Sequence, residues 1–105
     1  MDSTAASTVI HNGREQRYEL RLDGNIVGFA QYRSRPGLIA FIHTEVDDKF
    51  EGQGLASRLI SSALDDASEH GLAVLPFCPF VNSYIQRHQE YLDLVPEQYR
   101  EAFDL

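Results

Sequence analysis

The chain has 105 residues, enough for one modest hydrophobic core, and its 43% hydrophobic and 24% charged residues are ordinary for a soluble globular protein. A formal charge of −7, with Lys49 the sole lysine, argues against nucleic acid, whose phosphates call for clustered Lys and Arg. The single cysteine excludes an intrachain disulfide and makes a reducing cytoplasm the expected compartment; no Cys or His pair has zinc-ligand spacing, and no apolar run could span a bilayer.

Met1 to Thr8 is small and polar and reads as a frayed tail on a single domain over 1–105. It lacks the basic segment and apolar core of a secretory signal. Arg17 to Leu22 alternates polar and apolar residues, the period of a half-buried strand. Asp23-Gly24-Asn25 is a turn, and Ile26 to Ser34 is the returning strand, with Gly28 a bulge or thin spot. Arg35-Pro36-Gly37 turns the chain again, and Leu38 to Val46 forms a third strand, on composition the most buried.

Asp48 to Ala56 then opens a helix. Apolar Leu55, Ala56, Leu59, Ile60, Ala63, Leu64 and Ala67 recur every three or four residues, which draws one apolar stripe along a helix. Gly71 suits its left-handed C-terminal cap. Leu72 to Leu75 is a short apolar strand, so strand, helix and strand make a β-α-β unit. Pro76 and Pro79 hold Cys78 in a non-helical corner. A second helix runs from about Phe80 to His88, and Pro96 opens a third helical stretch carrying Tyr99, Ala102 and Phe103. The fold class is α/β (α+β): an N-terminal antiparallel meander, the β-α-β unit and C-terminal helices.

The loop between the third strand and the first helix has a chemical use. The first N–H groups of a helix lack internal partners and sit at the positive end of its dipole. Gly52 and Gly54 have no β-carbon, so a phosphate can come close to those donors. A diphosphate cradle and a plain tight turn both fit this pattern. Position 57 is serine, so there is no Gly-x-Gly-x-x-Gly, and the Gly-Lys-Ser/Thr ending of a nucleoside-triphosphate loop is absent.

Phe50-Glu51-Gly52-Gln53-Gly54-Leu55-Ala56 resembles the acetyl-coenzyme A pyrophosphate loop of the GNAT N-acetyltransferase superfamily, whose pattern is Arg/Gln-x-x-Gly-x-Gly/Ala. Gly54 takes the required glycine and Ala56 the final small residue; Glu51 departs from the pattern by standing where Arg or Gln is usual. His43-Thr44-Glu45-Val46, Pro76-Phe77-Cys78-Pro79-Phe80-Val81 and His88 to Val95 are similar to a small single-domain branch of that superfamily, so the likeness runs from about Tyr18 to Val95. It implies a GNAT-like mixed sheet whose two central strands splay at a bulge. The pantetheine arm then slots between Thr44–Val46 and Leu75–Cys78. By the same resemblance Gly52, Gln53, Gly54, Leu55 and Ala56 hold the diphosphate, and Thr44 and Val46 the pantetheine.

Acetyl transfer to an amine needs a base for the nucleophile and a proton for the leaving thiolate. His43 and Glu45, two apart on one strand, share a face and could take the amine proton; a core histidine beside an edge charge is the plainer account. Cys78, in the Pro-x-Cys signature of the branch, could carry the acetyl group or be a small buried hydrophobe. Many GNAT enzymes use a helix tyrosine as the acid. Here Ile85 falls at that position and Tyr84 one residue before it, with His88 a competing group one turn on near the coenzyme. Arg58 and Arg87 could meet phosphates or be solvated surface charge.

The expectation is an acetyl-coenzyme A-dependent N-acetyltransferase acting on an unnamed amine acceptor, with no metal, no nucleic acid or membrane partner, and a monomer or weak homodimer. One rival is a non-catalytic coenzyme A-binding or protein-interaction module. Another is a small-ligand binder unrelated to coenzyme A.

Overall fold

A computed structural model describes residues 7–50 and 54–105. Five strands form one sheet in the order β1-β2-β3-β4-β5: β1 Ser7–Asn12, β2 Arg17–Leu22, β3 Asn25–Arg35, β4 Leu38–Val46 and β5 Ala73–Pro76. The first four pair antiparallel and β5 lies parallel to β4, as a β-α-β crossover requires. The helices are α1 Leu55–Glu69, α2 Pro79–Arg87 and α3 Glu97–Arg100, with short 3₁₀ turns at Asp48–Phe50, Gln89–Leu94 and Glu101–Phe103.

The N-terminal expectation needs correcting. Ser7 and Thr8 are not tail but the start of β1, which pairs along its whole length with β2. The β-branched run Thr8-Val9-Ile10 favours a strand, and the Asn12 side chain closes the following turn by accepting the Glu15 N–H at 3.1 Å. Side chains then fasten β1 to α1: His11 stacks on Tyr18 at 4.4 Å and hydrogen-bonds the Tyr32 hydroxyl, while Tyr18 donates to Asp66 at 2.6 Å.

The hairpin turns follow their sequences. Asp23 and Gly24 both take positive φ, the pair of angles that a two-residue turn between twisted strands demands. Gly71, at φ 66°, ends α1 as expected. The apolar stripe of α1 is the core: Leu55, Leu59, Ile60, Ala63, Leu64 and Ala67 are all buried against Tyr18, Leu20, Ala30, Tyr32, Ile39 and Phe41 of the sheet. Val81, Tyr84 and Ile85 of α2 join the same cluster. The opposite sheet face carries Arg17, Glu19, Phe29, Gln31, His43 and Glu45. There Glu19 is buried because Arg17, Arg21 and Asn12 all donate to it.

Two bulges shift the register. Val27 is the extra residue between the pairs Leu20↔Gly28 and Arg21↔Ile26, one position from the thin spot expected at Gly28. Ile42 is the extra residue between Gln31↔His43 and Tyr32↔Phe41. Strict alternation from buried Ile39 and Phe41 would turn His43 and Glu45 into the core. The bulge reverses the phase of β4, so Thr44 is buried and His43 and Glu45 are exposed.

Candidate functional site

Pairing of β4 with β5 stops at Phe41↔Pro76. The Cys78 N–H still reaches the Phe41 carbonyl at 2.9 Å, but Ile42 to Val46 have no β5 partner. The strands therefore part where the bulge lies. The opening is displaced from the expected one, since Leu75 and Pro76 belong to the paired segment and only Cys78 faces β4 beyond it, against Thr44.

The parted end of β4 leads to a cavity of about 390 Å³ at the start of α1, lined by Val46, Phe50, Gly54, Leu55, Ala56, Ser57, Phe80 and Arg87. Gly54 caps α1 with φ 73°, a conformation glycine reaches without strain, and no side chain among the described residues caps the helix. The leading N–H groups of a four-turn helix thus face a cavity that also holds a guanidinium. Arg87 makes no ion pair or hydrogen bond among the described residues. Gly52 and Gln53, both expected to touch the diphosphate, lie outside the described residues, as does Glu51. Arg58 is engaged elsewhere, donating to the Ser7 carbonyl at 3.1 Å.

The candidate catalytic groups fall on two sides of the sheet. Cys78, 3% exposed, donates its thiol hydrogen to Thr44 Oγ1 at 3.3 Å on the helix-covered face. His43 and Glu45 lie on the open face, 3.7 Å apart between His43 Nε2 and Glu45 Oε2. There Glu45 lines a second cavity of about 530 Å³ with Arg17, Ile26, Val27, Gly28, Phe29, Val46, Asp47 and Asp48. Val46 borders both cavities. Tyr84 is buried with its ring stacked on His88 at 3.9 Å, and His88 Nδ1–H donates to the Tyr84 carbonyl at 2.9 Å; neither lines either cavity. Phe50 and Phe80 were not expected at the site. Their only sequence signal is position, beside the glycine loop and directly after Pro79.

A mixed sheet whose parallel pair parts beside a glycine-capped helix defines an α+β fold of the N-acetyltransferase type. The family model for GCN5-related N-acetyltransferases matches residues 17–94, and the chain belongs to that family. It is 28% identical over 98 residues to Protein NATD1 of Xenopus tropicalis, covering 89% of each chain. Human Protein NATD1 is 29% identical over 90 residues, 81% of this chain and 79% of that one. Among solved structures, a GCN5-like N-acetyltransferase fold from Staphylococcus aureus superposes with a TM-score of 0.68 at 21% identity, covering 88% of this chain and 90% of the other. Among the described residues no group of His, Cys, Asp and Glu could hold a metal ion, and no helix is long and apolar enough to cross a membrane.

Proposed function

We propose that the protein transfers an acetyl group from acetyl-coenzyme A to an amine. The observation that carries this is the position of Val46, which borders both the cavity at the start of α1 and the cavity that contains Glu45, on the stretch of β4 that has no β5 partner. The residues fit the coenzyme: capless helix N–H groups and Arg87 suit a diphosphate, and the unpaired edge of Ile42–Val46 suits the pantetheine amides. Acetyl-coenzyme A supplies a thioester whose carbon–sulfur bond breaks as the amine nitrogen bonds its carbonyl carbon, releasing a thiolate that takes up a proton. Glu45 accepts the amine proton from the open face, and His43, 3.7 Å away, orients its carboxylate. Cys78 walls the slot from the covered face, its thiol hydrogen occupied by Thr44.

A second reading has one observation in its favour. The core face is covered by α1 and α2, whereas Glu45 on the other face is 63% exposed, so a coenzyme-binding module without a built acceptor pocket also fits. Intact-protein mass spectrometry with acetyl-coenzyme A, followed by thiol release against a panel of primary amines, separates the two. A native coenzyme adduct, lost in Gly54→Asp, with turnover that Glu45→Gln lowers by about 10²-fold or more, is the expected result. An adduct without turnover favours the binding module. No adduct at millimolar ligand would sink both.

A further inference from the structure

The sheet has one covered face and one open face. α1 and α2 pack on the first, and among the described residues no helix packs on the second, from which Arg17, Arg21, Ile26, Phe29, Arg33 and Arg35 project. Register orders the charges along this open face. Arg35 pairs with Leu38 and Arg33 with Ala40 at the start of β4, while Glu45 pairs with Phe29 near its end, where Asp47 and Asp48 follow. The two ends lie about 20 Å apart at 3.3 Å per residue. Arg17 and Arg21 are both bound to Glu19, whereas Arg33 and Arg35 reach only the carbonyls of Tyr32 and Ser34. Among the described residues no carboxylate pairs with Arg33 or Arg35, and no cation with Asp47 or Asp48. The same face leaves Ile10 and Ile26 in water, 41% and 48% exposed.

We propose that the open face is the interface of a homodimer. Two copies meet sheet to sheet, related by a half-turn, with Arg33 and Arg35 of each against Asp47 and Asp48 of the other. Charge is the first argument for a second copy. A face that is basic at one end and acidic at the other complements itself when the axis lies in the face and runs across the strands, so both clusters pair at once. The head-on alternative would set arginine against arginine, which leaves one orientation favoured. Burial is the second argument: sheets packed about 10 Å apart take the exposed isoleucines out of water. Size is the third. At 3.3 Å per residue and 4.8 Å per strand, the four antiparallel strands give a footprint of about 500 Å², small for a permanent assembly and suited to a reversible one. In such a dimer the cavity beside Glu45 gains from the second copy the wall that the single chain lacks. The inference stands without the coenzyme reading, because it concerns association alone.

Sedimentation velocity between about 1 μM and 1 mM tests it. Wild type is expected to dimerise with a constant on the order of 10–100 μM, and to dissociate more readily in high salt. The charge reversals Arg33→Glu/Arg35→Glu and Asp47→Lys/Asp48→Lys should each weaken self-association about tenfold or more. An equimolar mixture of the two should restore it to within about threefold of wild type, since each cluster then joins opposite charges again. Asp47 also accepts the Lys49 N–H, so urea midpoints check that the second variant is folded. Ile26→Asp, at a side chain already in water, provides an independent change that should weaken the dimer about fivefold or more. Wild type monomeric up to 1 mM would overturn the homodimer and leave the face to a different protein. A dimer indifferent to both reversals and to Ile26→Asp would place the interface elsewhere. Failure of the mixture to associate would overturn the pairing of the two ends.

Discussion

The thiol of Cys78 donates to Thr44 Oγ1 at 3.3 Å across the point where β4 and β5 separate. The contact joins the N-cap residue of α2 to the part of β4 that has no β5 partner, and it is enclosed, with Cys78 3% and Thr44 8% exposed. Such S–H···O contacts are weak, so its importance is in position rather than strength. A double-mutant cycle of Cys78→Ala and Thr44→Val in urea should give a coupling of about 0.5–1 kcal/mol.

Direct transfer leaves the sulfur outside the chemistry. Cys78→Ala should therefore keep turnover within about threefold, less than 1 kcal/mol of barrier. Loss of turnover in a folded Cys78→Ala, together with a denaturation-resistant acetyl group on wild type, would replace direct transfer by an acetyl-cysteine route.

Gly28 is required by the approach of β3 to β4. A β-carbon there would lie 2.8 Å from the Glu45 carbonyl oxygen and 3.1 Å from Val46 Cγ2. Gly28→Ala must push β4 away at the residue shared by the two cavities, so it should destabilise the protein by about 1–3 kcal/mol and weaken coenzyme binding in parallel. Urea denaturation and calorimetry check the two effects; unchanged stability would contradict the tight approach.

Glu19 gives the protein an acid-labile anchor on the open face. Hydrogen bonds from Arg21 first, then from Asn12 and Arg17, hold its carboxyl down at about 2 against the opposing effect of burial. A lowered folded-state value means that the stabilisation is complete above the unfolded value of 4.5 and is lost as pH falls toward 2. Glu19→Gln should cost about 2–3 kcal/mol at neutral pH. The gap from wild type in urea midpoints should narrow between pH 4.5 and 2. A gap independent of pH would refute the ionic origin.

Tyr91 behaves in the opposite sense. Burial chiefly, and the hydrogen bond to Asp65 next, push its hydroxyl up to about 12. The stabilisation from its protonated form is complete below the ordinary value of 10.0 and disappears as pH rises toward 12. Asp65→Asn should bring ionisation of Tyr91 part of the way back, read from its ring resonances in an alkaline titration. No movement would mean that the 2.9 Å contact contributes nothing.

Much of this molecule is written in local pattern. The α1 stripe from Leu55 to Ala67, the turns at Asp23-Gly24 and Pro36-Gly37, the stop at Gly71 and the parallel return of β5 follow from periodicity and backbone preference, which act over a few residues. β1 escaped because its short run carries no period-2 signal, and its stability comes from β2, Tyr18 and Asp66 rather than from itself. Likewise, sequence placed His43 and Glu45 on one face but could not say which. One extra residue, Ile42, sets the phase of β4, and that bulge exists only through pairing with β3. Tertiary packing then put Cys78 with Thr44 beneath the sheet, His43 with Glu45 above it, and Phe80 and Arg87 beside the start of α1, which lies much earlier in the chain. Side chains so far apart in the chain meet only because α1 and α2 bury their apolar stripes against the same sheet face, a condition that no local stretch of residues encodes.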